Sequence, residues 1–161
     1  MVRRTGLPPS VLFVCQGNIY RSPYAGYRFL TLLPTALRMR MDVTSGGFVG
    51  PDRPSPDNAV ACAGAHGVDL VPHRSSLLTL ERTRNAALVV VMEEKQKRRI
   101  MTEFGLPDER VIILGDLDPD GIERRTIRDP WRQPDSVLQA SYDRIDRCLI
   151  ELVRGLPGAR G

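Results

Sequence analysis

Short apolar runs with little alternation punctuate the chain. Residues 10–15, the weaker 40–44, the stronger 86–92 (Ala-Ala-Leu-Val-Val-Val-Met) and 111–114 each read as a strand. Runs of this kind suit a parallel sheet covered on both faces, because a face left to water would impose alternation. Helical patterns fill the gaps. Ser22-Pro23 is a start signal, a hydroxyl N-cap before a proline at the first helical position. That helix should run to about Leu33, ahead of Pro34. Residues 56–65 are alanine-rich and stop at Gly67, and residues 93–104 are charged and stop at Gly105. In the last helix Leu138, Tyr142, Ile145, Leu149 and Leu152 recur at alternating steps of four and three, one face of an α-helix. The alternation predicts an α/β domain: a four-stranded parallel sheet with right-handed crossovers and helices on both faces. Its ligand belongs beyond the carboxyl ends of the strands. The loops after Cys15, Ser45, Met92 and Leu114 are therefore the places to search.

Length and composition narrow the class. A chain of 161 residues with 42% hydrophobic residues forms one domain, spanning 1–161 with a core at about 10–154. The ends, 1–9 and 155–161, are rich in Gly, Pro and Arg and read as loose tails. No apolar run is long enough for a membrane span, and the run after the N-terminal arginines is too short for a signal-peptide core. Three cysteines do not make a disulfide framework, so a reducing cytoplasm is the expected setting. The net charge is +4. Lys95 and Lys97 are the only lysines among 23 basic residues; the other 21 are arginine. Arginine grips phosphate and carboxylate with a planar fork, although a genome rich in arginine codons gives the same bias. The arginines are scattered and only 6% of residues are aromatic, so a nucleic-acid partner is not expected.

One loop carries chemistry. Cys15-Gln16-Gly17-Asn18-Ile19-Tyr20-Arg21-Ser22-Pro23 lies between a strand and a helix start and contains Cys-x5-Arg. The spacing alone is weak: Cys148 and Arg154 share it, inside an uninterrupted amphipathic helix with no glycine between them. The Cys15 loop differs physically. Gly17 permits a tight turn and Asn18 tolerates left-handed dihedrals. A loop curled onto a helix N-terminus turns its N–H groups inward and forms an anion nest. Arg21 adds a bidentate fork, and Ser22 can donate its hydroxyl to the sulfur while capping the helix. Cys15 then sits as a nucleophile beneath a bound phosphate. A phenolic leaving oxygen needs a proton, and two Asp-Pro acids, Asp118 and Asp129, follow the last strand. Only Asp129 is followed by an aromatic, Trp131, which could wall a substrate ring. Phe48 is either the opposite wall or a core residue. The ring of Tyr20 can reach the mouth of the nest. His66 suits its helix C-terminus and receives no chemistry, and Cys62 and Cys148 read as core.

This loop resembles the signature of the low-molecular-weight protein tyrosine phosphatases, Cys-x-Gly-Asn-x-x-Arg-Ser-Pro. The likeness spans roughly residues 10–152. Thr44-Ser45-Gly46, Pro72-His73-Arg74, Leu88 to Met92 and Asp129-Pro130-Trp131 also carry it. Gly46-Gly47-Phe48-Val49-Gly50 is most similar to the bacterial branch that dephosphorylates tyrosine kinases of capsule and exopolysaccharide synthesis. The resemblance implies a four-stranded parallel sheet, Asp129 as general acid, and Asn18, Ser45 and His73 as supports of the nest. It further implies a metal-free reaction through a phosphocysteine and no cofactor. The expected partner is a phosphotyrosyl protein such as a bacterial tyrosine kinase, with inorganic phosphate or sulfate able to occupy the site. In many relatives a second cysteine stands where this chain has Tyr20 and traps the oxidised nucleophile as a reversible disulfide. Tyr20 cannot do so. Three rivals remain. An arsenate reductase of the same fold needs neighbouring redox cysteines. A protein arginine phosphatase typically has Thr where Ile19 stands. A phosphoprotein-binding module would hold phosphate without turning it over.

Overall fold

A computed structural model describes residues 6–121 and 124–159. Four strands, β1 (Ser10–Cys15), β2 (Asp42–Gly47), β3 (Leu88–Val91) and β4 (Val111–Ile113), form one all-parallel sheet in the order β2-β1-β3-β4. The helices are α1 (Arg21–Leu32), α2 (Thr35–Arg38), α3 (Asp57–Ala65), α4 (Leu80–Asn85), α5 (Glu94–Phe104) and α6 (Asp135–Arg154).

The lack of alternation in β1 and β3 has its expected cause. Val11, Phe13 and Cys15 of β1, with Leu88, Val90 and Met92 from β3 and its end, face a cluster built with α1 and α6. Leu12 and Val14, with Val89 and Val91, face a second cluster that includes Ile100 of α5 and Leu106. Successive side chains point to opposite faces, and both faces are dry, so every position is apolar. Of the spaced residues of α6, Leu138, Tyr142, Ile145 and Leu149 are buried and Leu152 packs partly buried against the same cluster, and Tyr142 stacks on Tyr24 of α1 with 3.9 Å between centroids.

Three expectations need correction. The second strand lies at Asp42–Gly47, not 40–44, and pairs with β1 from Ser10↔Asp42 to Cys15↔Gly47. It is an edge strand, half exposed, with the sequence Asp-Val-Thr-Ser-Gly-Gly; hydrogen bonds to β1 define it, not apolar side chains. Helix α1 begins at Arg21, so Ser22 is inside its first turn and is not the N-cap. Tyr20 takes that place without a side-chain bond, because the hydroxyl and N–H of Ser22 are both turned to Cys15. The described parts of the tails are not loose. Leu7, Leu156 and Ala159 pack on the main cluster, and Pro9 accepts a hydrogen bond from the Asp42 N–H (2.9 Å). Residues 1–5 and 160–161 lie outside the described residues. The short helices α2 and α4 went unrecognised, having too few residues for a periodic signal. Among the described residues no helix is long and apolar enough to cross a membrane.

The strand order places the site. From β1 the chain moves to one side for β2 and to the other for β3, so the β1/β3 boundary is a topological switch point. The loops leaving these two strands diverge there and open a crevice. The segment 15–21 leaves β1 at that crevice, and Met92-Glu93 leaves β3 beside it.

Candidate active site

The loop after β1 curls back on itself through Asn18, whose φ of 53° is left-handed. Gly47, opposite Cys15 in the sheet, lets it do so. A Cβ on Gly47 would come within 2.9 Å of the Asn18 nitrogen and 3.0 Å of the Gln16 carbonyl. Buried Asn18 holds the curl in shape. Its Nδ2 donates to Ser22 Oγ (2.7 Å) and Ser45 Oγ (2.9 Å), and its Oδ1 accepts from the Ser76 N–H (3.0 Å). Its own carbonyl accepts from His73 Nε2 (2.7 Å), so that nitrogen carries the proton. Burial pushes the His73 imidazole below its ordinary value, against the weaker pull of the carbonyl. Asn18, Ser22, Ser45 and His73 thus meet in one network.

Cys15 Sγ lies at the floor, buried, 3.0 Å from Ser22 Oγ and 3.4 Å from the Ser22 N–H. Ser22 Oγ already accepts from Asn18, so its own proton is free to point at the sulfur. Two donors from the first turn of α1 therefore converge on the Cys15 sulfur.

Arg21 is 1% exposed, and its donors divide sharply. One terminal nitrogen, Nη1, donates to Glu93 Oε1 (2.7 Å) and to the Ile127 carbonyl (2.9 Å). Among the described residues its Nε–H has no partner. Among those residues Nη2 meets only Asp129 Oδ2, at 3.4 Å. One edge of the guanidinium is tied to the protein while the other edge faces the cleft with unused donors. A buried N–H left unpaired costs about 1–3 kcal/mol, and a two-oxygen anion would satisfy both donors at once.

Glu93 was not singled out in the sequence. It follows β3 directly, and its carboxylate is buried between Arg21 and Lys95 (3.1 Å). Burial opposes its ionisation, but the Arg21 guanidinium and then Lys95 outweigh that and hold the carboxyl below the ordinary range. Glu93 fixes the fork and offsets its charge. Its only sequence signal was its position, just beyond the strand at the switch point.

A cleft of about 300 Å³ opens above Cys15 and Arg21. Asp129 stands at its edge, its side chain 40% exposed, and Oδ1 accepts from the Trp131 N–H (3.1 Å). Ser141 of α6 donates to the Arg128 carbonyl (2.7 Å), pinning the acid's segment one residue upstream. Asp118, the alternative acid, is elsewhere: Arg144 Nε (2.9 Å) and Arg147 Nη2 (3.2 Å) enclose its carboxylate. Burial opposes that ionisation too, yet Arg147, the Asp120 N–H and Arg144 together hold the group below the usual range.

The walls differ in part from expectation. Ile19, Tyr20 and Trp131 line the cleft, and Trp131 is 53% exposed beneath the Arg132 guanidinium (4.3 Å). The Tyr20 hydroxyl donates to Asn58 Oδ1 (3.0 Å), which fixes the ring. Phe48 is not a wall. Its ring packs on the second core cluster under Arg99 (4.0 Å), away from the cleft. The chain bends just past β2, where the N–H groups of Phe48 and Val49 both donate to the Gln16 carbonyl, and Val49 lines the cleft instead, 49% exposed. Arg53, also missed, donates to the Gly50 (3.0 Å) and Gly17 (3.0 Å) carbonyls and staples the Val49 turn to the curled loop. One arginine among 21 gave no signal.

The other cysteines stand apart. Burial pushes the Cys148 thiol up to about 12, and burial followed by Asp143 raises Cys62, whose Sγ donates to Gln139 Oε1 (3.6 Å).

The family model described as low molecular weight phosphotyrosine protein phosphatase matches residues 10–159. The chain belongs to this family. It is 28% identical over 148 residues to the low molecular weight protein-tyrosine-phosphatase Etp of Escherichia coli (strain K12), covering 91% of this chain and 94% of that one. The crystal structure of the Erwinia amylovora tyrosine phosphatase AmsI superposes with a TM-score of 0.81 at 26% identity, covering 95% and 96%. The arginine phosphatase YwlE, as a cysteine-to-serine variant with a phosphorylated active-site serine, superposes with 0.79 at 27%, covering 94% and 97%. Family members of this kind are hydrolases.

Proposed function

We propose that this phosphatase hydrolyses phosphotyrosine in proteins through a phosphocysteine on Cys15. The half-used guanidinium of Arg21 carries the proposal, because its unpaired Nε beside Nη2 is built to receive two phosphate oxygens. The curled loop supplies backbone donors to the third. Cys15 Sγ attacks phosphorus in line; the S–P bond forms as the bond to the phenolic oxygen breaks, and Asp129 protonates that oxygen. Asp129, now a carboxylate, takes a proton from a water whose oxygen attacks phosphorus. The S–P bond breaks, inorganic phosphate leaves, and the thiolate returns to the donors of Ser22. The phosphorylated serine in the YwlE variant supports a covalent route through this position of the loop. A bacterial tyrosine kinase of capsule or exopolysaccharide synthesis is the kind of protein substrate the resemblance supports.

Ile19, Tyr20, Val49 and Trp131 give the cleft apolar walls suited to a phenyl ring. Phosphoarginine is the second reading, and the fold of YwlE favours it, but Ile19 offers no hydroxyl to a guanidinium. Matched phosphotyrosyl and phosphoarginyl peptides decide between them. We expect kcat/KM to favour phosphotyrosine by about tenfold or more, and a reversed preference overturns the reading. Asp129→Asn should lower kcat on phenyl phosphate by about 10²–10³-fold, and less on an activated nitrophenyl ester, whose leaving oxygen needs little protonation. An equal loss on both esters removes Asp129 as the acid.

The same site has a redox consequence. Cys62 is held on α3 against Gln139 and Cys148 is sealed in the core, so neither is placed to capture an oxidised Cys15. Prolonged peroxide should therefore drive Cys15 to sulfinic acid, with poor recovery in dithiothreitol. Tyr20→Cys should restore recovery through a disulfide to Cys15, visible by mass spectrometry. A Cys15–Cys62 disulfide with full recovery in the wild type would show the opposite.

A further inference from the structure

The amide of Asn18 has two possible senses, and only one serves the sulfur. With Nδ2 toward Ser22, the Ser22 hydroxyl accepts from Asn18 and donates to Cys15. With the amide reversed, Oδ1 would face Ser22 and draw its proton away from Cys15. The choice is made by the one neighbour with a fixed role. The Ser76 N–H can only donate, so it holds Oδ1, 3.0 Å away.

Ser76 is held from two sides: its carbonyl accepts from the Gly47 N–H (2.9 Å), in the bridge that pairs Leu77 with Gly47, and its hydroxyl is held by Arg82. This residue lies on α4, and its half-buried side chain runs back under the loop. Its Nη1 donates to Ser76 Oγ (2.9 Å) and to the Leu77 carbonyl (3.3 Å), and its Nη2 donates to the Ser45 carbonyl. The Ser76 hydroxyl, accepting from Arg82, donates in turn to the Ser45 carbonyl (3.2 Å). Ser45, with Ser22, grips the Nδ2 end of the Asn18 amide and Ser76 grips the Oδ1 end, and one guanidinium ties Ser45 and Ser76 together. Gly46 makes room for it: a Cβ there would fall 2.9 Å from Arg82 Nη1 and 2.8 Å from Leu78 Cδ2. Burial pushes Arg82 below its ordinary value, against the attraction of Asp42, yet a guanidinium stays charged throughout the working range.

We propose that Arg82 is a positioning residue for the reaction: through Ser76 and Ser45 it sets the sense of the Asn18 amide and so keeps the Ser22 proton on Cys15. It touches neither the cleft nor the reacting atoms. The inference rests on Cys15 being the nucleophile, and its test reads the reactivity of that sulfur separately from turnover.

The variants are Arg82→Gln, Ser76→Ala and Arg82→Lys, with Arg84→Ala as control. Arg84 lies on the same helix and, among the described residues, donates to the Phe104 carbonyl (2.9 Å), away from the site, so its loss should leave activity unchanged. Three readouts are taken: the pH dependence of Cys15 alkylation by iodoacetate, kcat and KM on an aryl phosphate, and Tm. In Arg82→Gln, alkylation at pH 6 should slow about three- to tenfold while the rate at pH 9 stays near wild type, because less of the sulfur is thiolate. The kcat should fall about tenfold with KM within about twofold, since the thiolate is both nucleophile and leaving group. Arg82→Lys should recover part of the loss. A lower Tm with an unmoved alkylation profile and unchanged kcat would make Arg82 a structural tie only and overturn the proposal. Should Arg82→Gln fail to fold, Ser76→Ala carries the test: a smaller shift in the same direction supports positioning, and no shift overturns it. A wild type that is alkylated normally yet hydrolyses no phosphotyrosine sinks the substrate reading and leaves this inference standing.

Discussion

Cys15→Ser should lower kcat by about 10⁴-fold or more while the protein stays folded and still binds inorganic phosphate. The sulfur is served by the Ser22 hydroxyl at 3.0 Å and the Ser22 N–H at 3.4 Å. Those donors suit an anion, and a serine hydroxyl at the same spot keeps its proton. A phosphoserine formed there would also be hard to break, because an alkoxide is a far poorer leaving group than a thiolate. The fold should survive, since the backbone of Cys15 keeps its sheet register against Gly47. Phosphate binding should survive because its donors, the loop N–H groups and the free edge of Arg21, are untouched. Calorimetric titration with phosphate and steady-state kinetics on an aryl phosphate check both halves. A serine variant retaining more than about 1% of the activity would demand another nucleophile.

Arg21→Lys should be nearly as severe, with kcat/KM reduced about 10³-fold. An ammonium can answer Glu93, but it cannot at once hold the Ile127 carbonyl and reach two phosphate oxygens. The loss has a second component. The Ile127 carbonyl is two residues from Asp129, so freeing it loosens the segment that carries the acid. The effects of Arg21→Lys and Asp129→Asn should therefore overlap, and the double variant should fall short of the product of the two single losses. Near-wild-type kinetics in Arg21→Lys would remove Arg21 from the site. A strictly multiplicative double variant would show that the Ile127 contact does not matter to the acid.

Much of the site was legible in the sequence because its chemistry is local. Cys15, Asn18, Arg21 and Ser22 lie within one loop between a strand and a helix start, and the need of such a loop for Gly17 and Asn18 follows from backbone sterics alone. The unbroken apolar runs of β1 and β3 and the four-three spacing of α6 determined the fold class, because burial on both sheet faces and on one helix face leaves a periodic trace. Tertiary structure decided what lies across long sequence gaps. Glu93 meets Arg21 only because β3 lies beside β1 in the sheet. Asp129, not Asp118, reaches the cleft because two arginines of α6 enclose Asp118 while Ser141 pins Arg128. Val49 replaced Phe48 as a wall because the bend after β2, tied to the Gln16 carbonyl, decides which side chain meets the cleft, and the polar edge strand β2 gave no apolar pattern to show it. Arg82 and Ser76 were invisible for the same reason: hydrogen bonds to backbone carbonyls depend on where the chain runs, not on which residues supply them.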